Sequence, residues 1–277
     1  MTETLDALVR RVDEDRWLAA RFAPQAQRPW LIAIYAAYHE IAKTAEVVSE
    51  QGLGAIRLQF WRDGVAAIYA CAPGADHPVL AALADAIRGA DLPRPLFDAM
   101  IDAREKDFDQ APFETWAELD AYVDATAGAV IELAVRACDP AQTLTAERRA
   151  ILRAAGRAWG YIGLARADAV WTARNRTFLP KQLRDHVGLD LAEALGPRGG
   201  HVRVAAERAI LDRGLGALRE CRAVASALPP AMFPAVAYVS FAEDYARALM
   251  RADRRQTPLG PLARRFKLIK ATMSGAL

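Results

Sequence analysis

The chain has 277 residues, 53% of them hydrophobic and 25% charged, with 36 basic against 34 acidic side chains. That composition excludes a disordered chain, and the length is enough for a large buried core. A net charge of +2 excludes a global electrostatic pull toward nucleic acid, so no nucleic-acid partner is expected.

The first residues, Met1 to Asp6, are acidic and read as neither a secretory signal nor a basic organelle presequence. Long Ala/Leu/Arg/Glu stretches with few alternating β-branched runs then predict helices over Thr4–Phe22, Pro29–Gln51, Leu53–Cys71, Pro78–Gly89 and Pro93–Gln110. They continue over Thr115–Cys138, Ala146–Arg174, His201–Ala227, Ala231–Ala252 and Pro261–Ser274. Trp30 to Tyr38 is apolar on every face, which predicts a helix buried on all sides. Pro78 and Pro93 suit first helical positions, and Thr115-x-x-Glu118 reads as a capping box. Along Thr115–Cys138 a stripe of Leu119, Tyr122, Thr126, Val130, Leu133 and Ala137 predicts one buried face. The clearest loop is residues 196–200, Gly-Pro-Arg-Gly-Gly. Ala223 to Ala242 carries no charge, but Pro229, Pro230 and Pro234 would interrupt a membrane span, so it reads as helix end, turn and helix start. Together these elements predict one all-α domain over residues 1–277, with a buried central helix.

Common chemistry-bearing patterns are missing. Cys71, Cys138 and Cys221 have no paired spacing, which fits a reducing compartment. His39, His77, His186 and His201 form no zinc pattern. No G-x-S-x-G occurs, and Gly52-x-Gly54 lacks the rest of a dinucleotide fingerprint.

A set of fragments in fixed order carries more. Arg16-Trp-Leu-Ala-Ala-Arg-Phe22-Ala-Pro24, Arg28 and Ile34-Tyr35-Ala36-Ala37 are followed by Gln59-Phe60-Trp61-Arg62-Asp63 and by Asp107. Then come Tyr122-x-x-x-x-Ala127-Gly128 and Arg174-x-Arg176-x-Phe178-Leu179-Pro180. In order and spacing this series resembles the squalene/phytoene synthases, isoprenoid enzymes that join two prenyl diphosphates head to head. The resemblance implies an all-α fold of the isoprenoid synthase type. Arg104-Glu105-Lys106-x-x-Asp109 and Phe233-Pro234-Ala235 add a likeness to the branch of that family containing the mitochondrial complex I assembly factor 6.

The synthases hold magnesium on two aspartate motifs, because a departing diphosphate needs its charge neutralised and magnesium favours carboxylate and water oxygens. By the resemblance, the first motif falls on Ala42, Lys43 and Glu46, and the second on Ala167 and Trp171. Asp168 lies one place off, about 100° around the helix. The asparagine often ahead of that motif is Gly163. The resemblance therefore implies a vestigial diphosphate cleft lined by Tyr35, Ala42, Lys43, Glu46, Asp107, Arg166, Ala167, Asp168, Trp171 and Arg174. No catalytic residue, metal or cofactor is expected there; magnesium enters only under a prenyltransferase alternative using Glu46, Asp168 and arginines.

Several side chains carry two readings. Lys43, Glu46 and Glu50 form either an anion-holding wall or an intrahelical ion pair. Trp171 either plugs the old cavity or is ordinary core. Arg166, Arg174 and Arg176 either bind a diphosphate or phospholipid headgroup or are surface arginines. Asp102, Glu105 and Asp109, interleaved with Arg104 and Lys106, read as a solvated face, and Asp13-Glu14-Asp15 as an exposed acidic turn. Arg264, Arg265, Lys267 and Lys270 form a basic patch that either meets a membrane or partner, or tops a helix packing Leu262, Phe266 and Ile269 on the core.

The expectation is a cytoplasmic, non-catalytic assembly factor for respiratory NADH:quinone oxidoreductase (complex I), peripheral to the inner membrane. The alternatives are a prenyltransferase with a divergent site and an isoprenoid or lipid carrier.

Overall fold

The computed structural model describes residues 3–48, 51–196, 200–251 and 259–277, and among these there is no β-strand. The chain begins with α1 (Leu5–Val12) and α2 (Glu14–Ala20), where a single helix was predicted. Asp13 breaks them with a non-helical backbone, and its carboxylate accepts the Arg16 amide to cap α2. Next come α3 (Arg28–Ala42), α4 (Thr44–Val47), α5 (Gln51–Tyr69), α6 (Pro78–Ala90) and α7 (Arg94–Ala103). A 3₁₀ turn, Arg104–Phe108, finishes the segment predicted as Pro93–Gln110.

Two helices, α8 (Trp116–Val123) and α9 (Ala129–Cys138), are joined by a π turn at Asp124–Gly128. The capping box at the start of α8 is modified. Thr115 Oγ1 accepts the Glu118 amide at 3.2 Å, but the Glu118 carboxylate reaches back to the Glu114 amide at 2.9 Å. The long α10 (Ala146–Thr172) follows, then α11 (Lys181–Val187) and α12 (Leu191–Leu195), two short helices that the periodicity did not predict. Both are too short to show a repeating apolar stripe.

The last third holds α13 (His201–Val224), α14 (Ala242–Met250) and α15 (Pro261–Ser274). Between α13 and α14 the chain runs through 3₁₀ turns at Ala225–Ala227, Pro230–Ala235 and Ala237–Phe241, so the helix predicted over Ala231–Ala252 begins eleven residues late. Pro230 and Pro234 supply no amide and favour these tighter turns. The helix predicted over Pro29–Gln51 divides into α3 and α4, and Gln51 begins α5. The predicted loop at residues 196–200 lies partly, and the predicted end at Ala252 wholly, outside the described residues.

Burial explains the layering. Leu31 to Ala37 on α3 are all buried, as their all-round apolar character requires. α9 packs against both α3 and α10, and the predicted stripe from Leu119 to Ala137 is buried. α10 lies along α13 and crosses the π turn, where a Cβ on Gly156 would stand 2.6 Å from the Gly128 Cα. Only glycine permits that approach. The resulting core extends from Val9 to Ala271, joining both ends of the chain.

Of two predicted exposed charge clusters, one is structural. Asp15 is buried, accepting from the Tyr245 hydroxyl at 2.6 Å and pairing with Arg264, which also bonds Glu14. Arg264 is itself buried, so it leaves the predicted basic surface patch and instead clamps α15 to α2. Buried ions persist only when partnered, which explains why Asp15 and Arg264 meet, with the more exposed Glu14 adding a second contact to the arginine. The second cluster divides. Asp102 and Glu105 remain exposed and share Arg62, whereas Arg104 turns inward.

Candidate functional site

A cavity of about 210 Å³ opens between α3–α4, the 3₁₀ turn after α7, the π turn and α10. Its apolar walls come from residues small enough to leave room. Ala42 and Ala45 stand on one side, and Gly160, Gly163 and Ala167 lie along α10. Nothing within 4 Å would meet a Cβ on Gly163. The π turn brings Tyr122, Thr126 and Ala127 to the wall, with the Thr126 hydroxyl donating back to the Tyr122 carbonyl at 2.7 Å. A π turn shifts the helix register locally and recurs at functional sites.

The polar end is a connected network. Arg104 Nη1 donates to the Tyr122 hydroxyl at 2.8 Å and to Asp107 Oδ2 at 3.2 Å. The Tyr122 hydroxyl donates to Asp107 Oδ1 at 2.6 Å. Arg104 lies 5.3 Å from the Tyr38 ring centre, while its Nε has no hydrogen-bond partner among the described residues. Burial pushes the Asp107 carboxyl above its ordinary range, although Arg104 and Tyr122 pull the other way. Arg176 donates to the Asp107 carbonyl at 2.6 Å, and Arg174 to the Glu46 carbonyl at 3.0 Å. Asn175, between those arginines, adopts a left-handed φ of 55°, which asparagine tolerates; with it the chain reverses and both arginines line the cavity.

Of the ten residues assigned to the cleft from the sequence, Ala42, Glu46, Asp107, Ala167, Trp171 and Arg174 line this cavity. The other four do not. Tyr35 is buried in the core with its hydroxyl unpartnered among the described residues, and burial raises its pKa well above the usual value. Lys43 bonds Glu40 one turn back rather than Glu46, and Glu50 lies outside the described residues. Arg166 stacks on Tyr245, 4.0 Å from the ring centre, on another side of α10. Asp168 is fully buried and faces α13, where Arg203 Nη2 donates to both its oxygens at 2.8 and 3.0 Å. That is the geometric consequence of its one-residue offset.

Trp171 is partly buried, lines the cavity and packs edge-on against Phe178 at 6.1 Å. Sequence reasoning missed Tyr38 and Arg104. Tyr38 ends the apolar run, and Arg104 begins the Arg-Glu-Lys motif, but spacing alone does not tell a buried arginine from its exposed neighbours. Among the described residues no three of His, Cys, Asp or Glu gather to hold a metal ion. The described cysteines are all free, and burial raises the Cys138 and Cys221 thiols to about 12.

Comparison with known proteins places this geometry. The complex I assembly factor 6 of Mus musculus is 26% identical over 246 residues, spanning 89% of this chain and 73% of its own. A presqualene diphosphate synthase of Rhodopseudomonas palustris is 36% identical over 123 residues, 43% of this chain and 42% of that one. The crystal structure of a squalene synthase from Alicyclobacillus acidocaldarius superposes with a TM-score of 0.75 at 20% identity, over 91% of this chain and 94% of the other, and shows the shared isoprenoid synthase fold. The squalene/phytoene synthase family model matches residues 9–271, nearly the whole chain, and the protein belongs to that family.

Proposed function

We propose that this protein is a non-catalytic member of its family, acting as an assembly or interaction factor for respiratory NADH:quinone oxidoreductase (complex I). The observation that carries the reading is the donor set of the cavity. Its wall holds two carboxylates, Glu46 and Asp107, against three arginines, Arg104, Arg174 and Arg176. Asp107 is already committed to Arg104 and Tyr122, and Asp168 to Arg203. Magnesium takes octahedral oxygen ligands, and nearby guanidinium groups oppose a second cation. These residues do not fit a magnesium cluster, so no ionisation step is assigned to them.

The extent of similarity supports the same side. Mammalian proteins named complex I assembly factor 6 align over 89% of the chain, and two presqualene diphosphate synthases over 43% and 62%. An assembly factor also needs a surface for its client. On α5, Leu53, Ile56 and Phe60 share one side of the helix and are all exposed. The reading carries with it a location in the cytoplasm, within reach of the membrane that holds the complex.

The deciding experiment has two arms. Purified protein is incubated with magnesium and farnesyl or geranylgeranyl diphosphate, and products are analysed. Deletion of the gene in its source organism is followed by native-gel quantification of assembled NADH:quinone oxidoreductase. No turnover, with less assembled complex restored by the wild-type gene, is the expected result. A head-to-head product, or an undiminished complex, overturns the proposal.

One observation favours a second reading, a lipid or isoprenoid carrier. The cavity joins an apolar interior to an arginine-rich end, which suits a chain with an anionic head. Magnesium-independent binding of farnesyl diphosphate in calorimetry, abolished by Gly163→Trp, would support it. Absence of binding would remove it.

A further inference from the structure

The last helix is oriented opposite to the packing that its sequence suggests. Leu262, Phe266, Ile269 and Met273 on α15 are not core: they are 69%, 69%, 39% and 83% exposed. The helix docks instead through Arg264, Leu268 and Ala271, against the 3₁₀ turns that hold Phe233 and Phe241. At 100° per residue, the four exposed apolar side chains fall within about 60° of one another, a continuous stripe along this 14-residue helix. Arg265 lies about 60° to one side of the stripe start and Lys270 about 80° to the other, and both are exposed. No aspartate or glutamate occurs anywhere from Leu259 to Leu277. Lys267, further round, is engaged by Asp244 and is not part of the flank.

We infer that α15 is a peripheral membrane-binding element that lies flat on an anionic lipid surface. An apolar stripe flanked on both sides by cations matches the two layers of a bilayer interface. The stripe enters the acyl boundary, and the long stems of Arg265 and Lys270 reach back to headgroup phosphates. The carboxylate-free helix adds no repulsion from those headgroups. Arg264, clamped by Asp15 and Glu14, holds the helix so that the stripe faces outward. No helix of the described residues is long and apolar enough to cross a membrane, so the contact is a surface one. The inference stands on α15 alone and is independent of the complex I reading.

The test is flotation of the full-length protein with vesicles of phosphatidylcholine, with and without phosphatidylglycerol. Protein should float with the phosphatidylglycerol vesicles, less with phosphatidylcholine alone, and less as salt rises. Phe266→Ser with Met273→Ser, and separately Arg265→Glu with Lys270→Glu, should each lower the partition roughly tenfold or more. Val204→Ser, an exposed apolar change on α13, should leave it unaltered. Circular dichroism checks that each variant is folded. Failure of the wild type to float overturns the proposal, as does flotation indifferent to both double variants. A lipid-independent dimer or protein complex lost with the same residues would also overturn it, since the stripe would then be a protein interface.

Discussion

Asp168 on α10 and Arg203 on α13 form a buried two-bond pair, at 2.8 and 3.0 Å, with 0% and 2% exposure respectively. The pair makes a carboxylate of α10 a bolt between the two longest helices among the described residues. Arg203 also bonds the carbonyls of Glu193 and Ala194, tying α12 to the same point.

Arg203 also meets Glu207 at 3.4 Å, so removing either member of the pair takes a two-bond contact out of a buried charge network. Arg203→Met or Asp168→Ala should therefore each destabilise the fold by about 1.5–3 kcal/mol, the scale of a hydrogen-bonded charged contact. The combined Asp168→Ala, Arg203→Met variant should cost less than the sum of the two, because both single changes remove the same contact. Urea unfolding of the three variants gives the comparison.

Two glycines on α10 should respond oppositely to alanine. A Cβ on Gly163 meets nothing within 4 Å, so Gly163→Ala should stabilise by about 0.5–1 kcal/mol through helix propensity. A Cβ on Gly156 would meet the Gly128 backbone at 2.6 Å, so Gly156→Ala should destabilise by about 1–3 kcal/mol. Thermal melts of both proteins test the crossing of α10 over the π turn.

His39 supplies a pH dependence. Burial depresses its imidazole below the ordinary value of 6.5, helped by Lys43 and opposed by Glu40 and Glu46. The folded state thus binds fewer protons than the unfolded chain just below that value. The stability this group contributes is complete above about 6.5 and is lost as pH falls through the depressed pKa. His39→Gln should flatten stability against pH in this window, as read from melting temperatures across pH 5 to 7.

Asp120 gives a second, more acidic dependence. Burial raises its carboxyl, but hydrogen bonds from Arg213 and Tyr161 and the charge of Arg157 outweigh burial and hold it below the usual value. Its contribution is present above the ordinary carboxylate range and lost as pH falls through the depressed value. Asp120→Asn should cost about 1–2 kcal/mol at neutral pH, because α8, α10 and α13 share this contact, and should soften acid unfolding. Denaturant titrations at neutral and acidic pH check both parts.

Legibility in the sequence followed the strength of local signals. The all-apolar run of α3 and the stripe from Leu119 to Ala137 repeat over several turns, and both are buried as expected. The break at Asp13 was not legible, because one capping residue interrupts a pattern that otherwise continues across it. Six of the ten residues that the order of motifs grouped together line the cavity, since motif spacing carries helix register. Tyr35 and Arg166 could not be excluded, because the side of a buried or amphipathic helix that meets a cavity depends on its neighbours.

By itself the sequence determined the helical class, the family resemblance and which residue types stand at the motif positions, because these depend on composition and order along the chain. Only the tertiary structure decided where the charges go. It sent Asp168 to Arg203, Asp15 to Arg264 and Arg104 to Asp107, and it turned Phe266 and Met273 outward. A charge can be buried only where a partner from a distant segment meets it, and an amphipathic helix with a neutral-to-basic sequence can dock by either side. Such choices are made between helices, and no local pattern records them.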